Sequence, residues 1–261
     1  MPVSVTRSRR RVGVSTPSGG GFDLLRDFES GAVGTSCNRK SDGFSDLAGA
    51  AVYSTEQALG GTQCAKLTVQ SGAEGFGQWG GAVTFPQNVG QGGHLWVQLK
   101  IYIPASFIID TPSNGSLKYI RIRQATSVGG NAGFFDLQMQ DDDKAAGEGD
   151  FRMLKEGQAV WQNFGADGTL TRDTVLTHTL HMVMDATLPA SGGTSRIRFW
   201  QGNTKLVDSG TIKTLINATD YADALYLFTY WNGTAPQTQS LYVDDIRISS
   251  DASPSWAAGL S

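Results

Sequence analysis

Side chains that could bind a sugar recur at alternate positions along several β-rich stretches of the sequence. In a strand, successive side chains point to opposite faces, so residues two apart share a face. By this rule the polar positions of HLWVQLKIYIP, LKYIRIRQ, FFDLQMQ and SRIRFWQGNTK lie opposite the apolar ones. If these strands belong to one sheet, they form a single polar surface made of Gln98, Lys100, Tyr102, Tyr119, Arg121, Arg123, Gln138, Gln140, Arg152, Arg198 and Trp200.

This predicted surface combines basic, amide and aromatic side chains. Aromatic rings stack on pyranose rings, amides bond hydroxyl groups, and the arginine fork holds carboxylate or sulfate. The wet face of an ordinary antiparallel sheet carries the same residue types without any ligand, so both interpretations stay open. The residues that we expect to contact a ligand are Lys100, Tyr102, Arg121, Arg123, Gln138, Gln140, Arg198 and Trp200.

The last β-rich stretch contains an acidic residue in an unexpected place. In LYVDDIRIS, the alternation places Asp244 on the same face as Tyr242, Ile246 and Ile248, toward the predicted core. A buried carboxylate needs a cation, hydrogen-bond donors or a changed pKa.

The composition indicates what kind of fold positions these residues. The chain has 261 residues, 33 of them glycine, and only 17% are charged. Helical periodicity is almost absent, and turn signals recur about every ten residues. We therefore expect an all-β fold, an antiparallel two-sheet β-sandwich of the jelly-roll type, over residues 22–250. An extended N-terminal arm over residues 1–21 and a C-terminal tail over residues 251–261 flank it.

Several function classes are disfavoured by charge and motif content. A formal net charge of -3 argues against a general nucleic-acid binder. No apolar run is long enough to span a membrane, and no Sec-type signal peptide is recognisable. Cys37 and Cys64 could form a single disulfide bond, and the sequence contains no zinc signature. The flexible basic arm, with Arg7 and Arg9–11, is either a solvated leader or a contact between subunits of a homo-oligomer or assembly.

The succession WVQLKIYIP, KYIRIRQ, TLHMVMD, SRIRFWQGNTKLVD and YWNGTAPQTQSLYVDDIRIS resembles the concanavalin A-like jelly rolls of the laminin-G and polysaccharide-lyase type. Sandwiches of this kind often hold a structural calcium ion between an acidic residue of an early FE.G strand and an aspartate of the final strand. Phe28-Glu29-Ser30-Gly31 and Asp244 match that arrangement. The resemblance thus implies structural Ca²⁺ at Glu29 and Asp244. A hydrogen-bonded Asp244 without metal is the alternative.

The chain also resembles alginate lyases of this fold, which carry an arginine strand, a Gln-x-His strand and a late tyrosine-rich strand. The resemblance implies that Arg121 and Gln138 neutralise a uronate carboxylate and that Tyr230 exchanges protons during β-elimination. Gln140 stands where the histidine is expected, and glutamine cannot act as a base. His181 replaces it only if it faces the same groove.

Two functional hypotheses follow. The first is a non-catalytic jelly-roll module that binds a glycan or a protein, as a decoration or tail-associated component of a virus or phage particle. The alternative is a polysaccharide lyase acting on an anionic uronate polymer. The expected partners are a polysaccharide or particle subunits, and the expected location is the virion or the extracellular space. A glycosidase is disfavoured because no strand carries the pair of glutamates that retaining enzymes of this fold use.

Overall fold

The computed structural model describes residues 20–38, 42–44, 50–77, 79–109, 116–140, 150–158, 160–165 and 168–260. These residues form fifteen strands and two short 3-10 turns, Pro189–Ser191 and Ser255–Ala257, with no α-helix among them. None of them belongs to a helix long and apolar enough to cross a membrane. The predicted arm lies almost wholly outside the described residues.

The strands form two antiparallel sheets. Sheet I has the order β13-β12-β11-β6-β15-β3-β2, and β1 also pairs with β15. Its strands are β1 (Asp23–Arg26), β2 (Val52–Ser54), β3 (Cys64–Val69), β6 (His94–Tyr102), β11 (Val175–Val183), β12 (Arg196–Gln201), β13 (Thr204–Ser209) and β15 (Gln239–Ser249).

Sheet II has the order β10-β9-β8-β7-β14-β4, and β5 also pairs with β14. Its strands are β4 (Glu74–Phe76), β5 (Gly81–Val89), β7 (Ser116–Ala125), β8 (Asn131–Gln140), β9 (Asp150–Lys155), β10 (Trp161–Phe164) and β14 (Tyr221–Thr234). The two sheets confirm the predicted all-β sandwich.

One apolar core joins the sheets. Leu95, Val97 and Leu99 of β6 are fully buried in it, as the alternation predicts, and so are Ile120 and Ile122 of β7. Because each sheet buries one face in this common core, the other faces look outward on opposite sides of the sandwich. The molecule therefore has two outer faces, and a ligand on one does not contact the other.

A bulge in β7 changes which side chains face outward. Lys118 pairs with Gln138, but Ile120 pairs with Leu137, so Tyr119 is an extra residue on β7. Tyr119 turns into the core, where it is fully buried and its hydroxyl lies 3.2 Å from Nδ1 of His178. The prediction that Tyr119 belongs to the polar surface is wrong, and Lys118 takes its place there.

A second bulge, in β15, reverses the orientation predicted for Asp244. The register shifts between Asp244 and Arg247, and Asp245 has a φ of 46°. Val243 and Ile246 both enter the core, while Asp244 lies on the outer face of sheet I beside Lys100. Asp244 is nevertheless fully buried, because the Gly60–Gly61 segment covers it. A Cβ on Gly60 would lie 2.9 Å from Oδ2 of Asp244, so a larger residue here would displace the Asp244 side chain.

The two cysteines are free thiols in this structure, and both are buried. Cys37 lies in the main core, whereas Cys64 packs with Leu59 and Tyr242 in a separate apolar cluster. Burial raises the pKa of both thiols, as expected for inert packing cysteines.

Candidate functional site

The predicted polar surface is divided between the two sheets. Arg121, Arg123, Gln138 and Gln140 lie on strands β7 and β8 of sheet II. Lys100, Tyr102, Arg198 and Trp200 lie on β6 and β12 of sheet I. The structure therefore brings together only the first group, with Tyr230 of β14 added to it by the strand register.

The second group has structural partners on the outer face of sheet I. Trp200 is 1% exposed and stacks on Trp96, with ring centroids 5.9 Å apart. Residues of the predicted C-terminal tail, among them Trp256 and Ala257, pack over this pair. Lys100 forms an ion pair of 2.8 Å with Asp245. Trp200 is therefore a packing residue.

His181 does not face Tyr230. It belongs to β11 of sheet I, where its ring stacks on Trp96 at 3.9 Å and its Nε2 lies 3.0 Å from Nδ1 of His94. Burial, with the nearby charges of His94 and Arg198, lowers the pKa of His181 to about 3. The expectation that His181 supplies the groove base is wrong, because it lies on the opposite side of the sandwich.

Sheet II carries a continuous line of polar and aromatic residues across its outer face. We define the cross-strand row as the following residues, taken strand by strand in register: Phe76, Tyr230, Lys118, Gln138, Arg152 and Asn163. Directly opposed residues on antiparallel strands have Cβ atoms about 5 Å apart, so neighbours along the row are in contact range.

Two cations lie under the ring of Tyr230. Nζ of Lys118 is 4.5 Å from the ring centroid, and the guanidinium carbon of Arg121 is 5.2 Å from it. Lys118 forms ion pairs of 2.7 Å with Asp136 and 2.9 Å with Glu156, and Arg121 pairs with the same two carboxylates. The four charges make a compact network that fixes both cations in place.

The two carboxylates of this network differ. Asp136 is fully buried, and burial raises its pKa despite the adjacent Arg121 and Lys118. Burial also acts to raise the pKa of Glu156, but the hydrogen bond from Lys118 and the charges of Lys118 and Arg121 outweigh it and lower that pKa. Glu156 therefore carries a full negative charge near neutral pH and pairs with the Lys118 side chain.

Next to the cations, hydrogen-bond donors converge around Gln138. Its Oε1 accepts from the Ser116 hydroxyl at 2.8 Å and from Arg152 at 3.0 Å, and Asn232 donates to the Ser116 hydroxyl at 2.8 Å. The Nε2 donor of Gln138 is buried and has no hydrogen-bond partner. An unsatisfied buried donor costs free energy, so an acceptor brought by a ligand would stabilise it.

Sequence reasoning missed several members of this site. The sequence pattern does not place Lys118 on the predicted polar surface, because strict alternation ignores the bulge at Tyr119. Ser116 and Asn232 carried no signal of their own, because only the pairing of β7 with β14 brings them together. Arg123 was predicted as a ligand residue, but a two-point ion pair with Asp223 occupies its guanidinium.

The expected calcium site consists of Asp244 and Glu29. Asp244 offers one buried carboxylate oxygen without a hydrogen-bond partner. Glu29, in contrast, already accepts hydrogen bonds from the backbone of Thr62 at 2.8 Å and from its hydroxyl at 2.6 Å. Among the described residues, no group of three or more His, Cys, Asp or Glu side chains could hold a metal ion. Calcium takes six to eight oxygens, so the side chains present do not make a complete site.

Solved structures similar to this chain include alginate and glucuronan lyases. Alginate lyase Aly36B superposes with a TM-score of 0.62 at 13% identity, covering 87% of this chain and 96% of its own. The endo-β-1,4-glucuronan lyase of the fungus Trichoderma reesei gives 0.55 at 10% identity, covering 88% and 95%. The marine PL-14 alginate lyase of Aplysia kurodai gives 0.54 at 12% identity, covering 87% and 97%.

No family model and no curated protein matches the sequence. At these identities the likeness concerns the fold alone. It confirms, at the level of the fold, the resemblance stated from the sequence: the chain folds as a jelly roll, as these structures do.

Proposed function

We propose that this protein is a polysaccharide lyase that cleaves an anionic uronate polymer by β-elimination on the outer face of sheet II. The observation that carries the proposal is the placement of Tyr230, Lys118 and Gln138 on adjacent strands, in register and on one face. This places a phenol, a cation and amide donors within reach of one sugar ring. The structural neighbours described as alginate and glucuronan lyases support the same substrate class.

In the proposed reaction, one set of residues stabilises the negative charge that forms on the substrate. Removal of the C5 proton leaves negative charge on the uronate carboxylate, and donors fixed beforehand at that position stabilise it. Gln138, through its unpaired Nε2, and Asn232 and Arg152 beside it are the donors that surround this position.

Tyr230 is the group that exchanges protons in this proposal. Its phenolate oxygen takes the proton from C5, the electrons of that C–H bond form the new C=C bond, and the glycosidic oxygen leaves. The phenol then returns the proton to that oxygen. Lys118, which pairs with Asp136 and Glu156, stabilises negative charge near the ring in this proposal.

The test is formation of the unsaturated uronate product, followed by ultraviolet absorbance with alginate, glucuronan, hyaluronan and heparin as substrates. We expect a rise with at least one polymer, abolished by Tyr230→Phe without a change in the melting curve. Tyr226→Phe is the matched control, since Tyr226 lies on the same strand and face but opposite Arg121. A flat trace with all four polymers contradicts a lyase for these substrates.

A second function, binding of a glycan without cleavage, is favoured by one observation. The groove cations Lys118 and Arg121 are both engaged in ion pairs with Glu156, and all three histidines lie on strands of sheet I. In that case the same polymers bind to the protein, measured by calorimetry, but give no unsaturated product with the wild type. A role on a virus or phage particle, and a virion or extracellular location, stay proposals that concern chiefly the N-terminal arm.

A further inference from the structure

Only two aromatic side chains of this molecule are exposed. The sequence contains 12 Phe, 7 Tyr and 6 Trp, and all of them lie among the described residues. Phe76 is 51% exposed and Trp161 is 54% exposed, whereas the other rings are buried or partly covered. Exposure of a large apolar ring is unfavourable in water, so two exposed rings on one surface point to a binding function.

Both exposed rings lie on the outer face of sheet II, at its two edges. Phe76 on the edge strand β4 pairs with Tyr230, the first member of the proposed site. Trp161 on the opposite edge strand β10 packs over Arg152, whose guanidinium carbon is 4.5 Å from the ring centroid. Five strand spacings separate β4 from β10, which is about 24 Å at about 4.8 Å each.

The chemistry between the two rings is that of an anionic sugar chain. The segment from Tyr230 to Arg152 offers amide, hydroxyl and guanidinium donors, the groups that bind carboxylates and sugar hydroxyls. Each ring offers a flat apolar surface of the kind that stacks on a pyranose. A chain lying parallel to the strands would contact the tyrosines of β14 but would reach neither Phe76 nor Trp161.

We infer that the uronate polymer lies across the strands, with Phe76 and Trp161 as stacking platforms for sugars at the two ends of the bound segment. The inference rests on the proposed function for the identity of the ligand. It adds the direction of the polymer and the length that is bound: several sugars, longer than a disaccharide. Because Tyr230 lies inside the bound segment, the cleaved bond is internal to the polymer.

The experiment uses oligosaccharides of increasing length prepared from the polymer that gives the highest activity. The KM is measured by product absorbance, and the Kd by calorimetry in the inactive Tyr230→Phe background. We expect Trp161→Ala and Phe76→Ala each to weaken binding of the longer oligosaccharides roughly tenfold, the effect of losing one aromatic stacking contact. The disaccharide is expected to be unaffected by Trp161→Ala, because four strand spacings separate Trp161 from Tyr230. Val175→Ala, which removes an exposed apolar side chain from sheet I, is the control.

The outcomes separate this inference from the proposed function. Product formation with the same length dependence in wild type, Trp161→Ala and Phe76→Ala would overturn the inference and leave the lyase proposal intact. Length-dependent binding that requires both rings, without any product, would support the inference and overturn catalysis. Equal weakening by Trp161→Ala for the disaccharide and the longer oligosaccharides would overturn the terminal position of Trp161. Absence of both binding and product, or capture of a protein through these rings instead, would overturn both.

Discussion

At the scale of single residues, the candidate site depends on one buried carboxylate, that of Asp136. Asp136 is fully buried beneath Lys118 and Arg121 and binds both of them, at 2.7 and 2.8 Å. Removing one partner from a buried ionic network leaves the remaining charges without compensation, which is more costly than losing an exposed ion pair. Asp136 is therefore a positioning residue, and its loss should affect folding as well as the groove.

We predict that Asp136→Asn lowers the free energy of unfolding by about 3 kcal/mol, measured by urea denaturation at neutral pH. Glu156 alone is then left to balance Lys118 and Arg121. The same variant should weaken binding of uronate oligosaccharides, because both cations lose the contact that fixes them.

Lys66→Met is the matched control for this prediction. Lys66 pairs with Glu56, which is 55% exposed, so the loss should be under about 1 kcal/mol. Equal effects of the two substitutions would show that the buried network carries no special stability.

At the scale of strands, the sequence pattern predicted element type well and side-chain orientation only in part. The alternation in β6 and over residues 134–140 of β8 matches the structure residue by residue, because neither stretch contains a bulged residue. In β7 and β15 a single bulged residue reverses the faces beyond it. Tyr119 and Asp245 are not residues that mark such positions in a sequence.

The bulge of β15 also determines the surroundings of Asp244. Burial, with the charges of Asp245 and Glu29, raises the pKa of Asp244 to about 7. A cation bound there would favour the ionised carboxylate. Lys100 already lies beside it, paired with Asp245, so the ammonium group and a calcium ion are competing explanations for the charge balance.

The calcium proposal predicts a lower Tm when a chelator is added, because a metal that binds only the folded chain stabilises it. Asp244→Asn should abolish this dependence, since it removes a charged ligand. Differential scanning calorimetry with and without chelator measures both effects.

Lys100→Met separates the two explanations. If the Lys100 ammonium group balances the negative charge of Asp244, this variant lowers the Tm, while the chelator does not change the Tm. That result would refute the calcium proposal, and it would identify Asp244 as a carboxyl group balanced by lysine.

At the scale of the whole molecule, the two outer faces have different roles. Sheet I is partly covered by the segment containing Trp256 and Ala257, which explains why Trp200 is buried. Sheet II presents the cross-strand row and the two exposed rings. The sequence could not predict this division, because β6 and β7 follow one another in the chain and have similar polar positions but belong to different sheets. Assigning a strand to a sheet requires its long-range pairing, and local alternation does not contain that information.

The last prediction concerns the N-terminal arm. The first described strand begins at Asp23, and the chain is anchored just before it, where the backbone nitrogen of Phe22 donates to the Ser250 hydroxyl at 2.9 Å. Removal of residues 1–19 should therefore leave the melting curve and the uronate assay unchanged. If the arm joins subunits, as the particle proposal requires, light scattering will show an assembly for the full chain and a monomer for the truncated chain. Replacing the four arm arginines by serine in the full chain tests whether charge carries the contact. The same number of subunits in all three proteins would refute the arm as an assembly element, and the lyase proposal would stand without it.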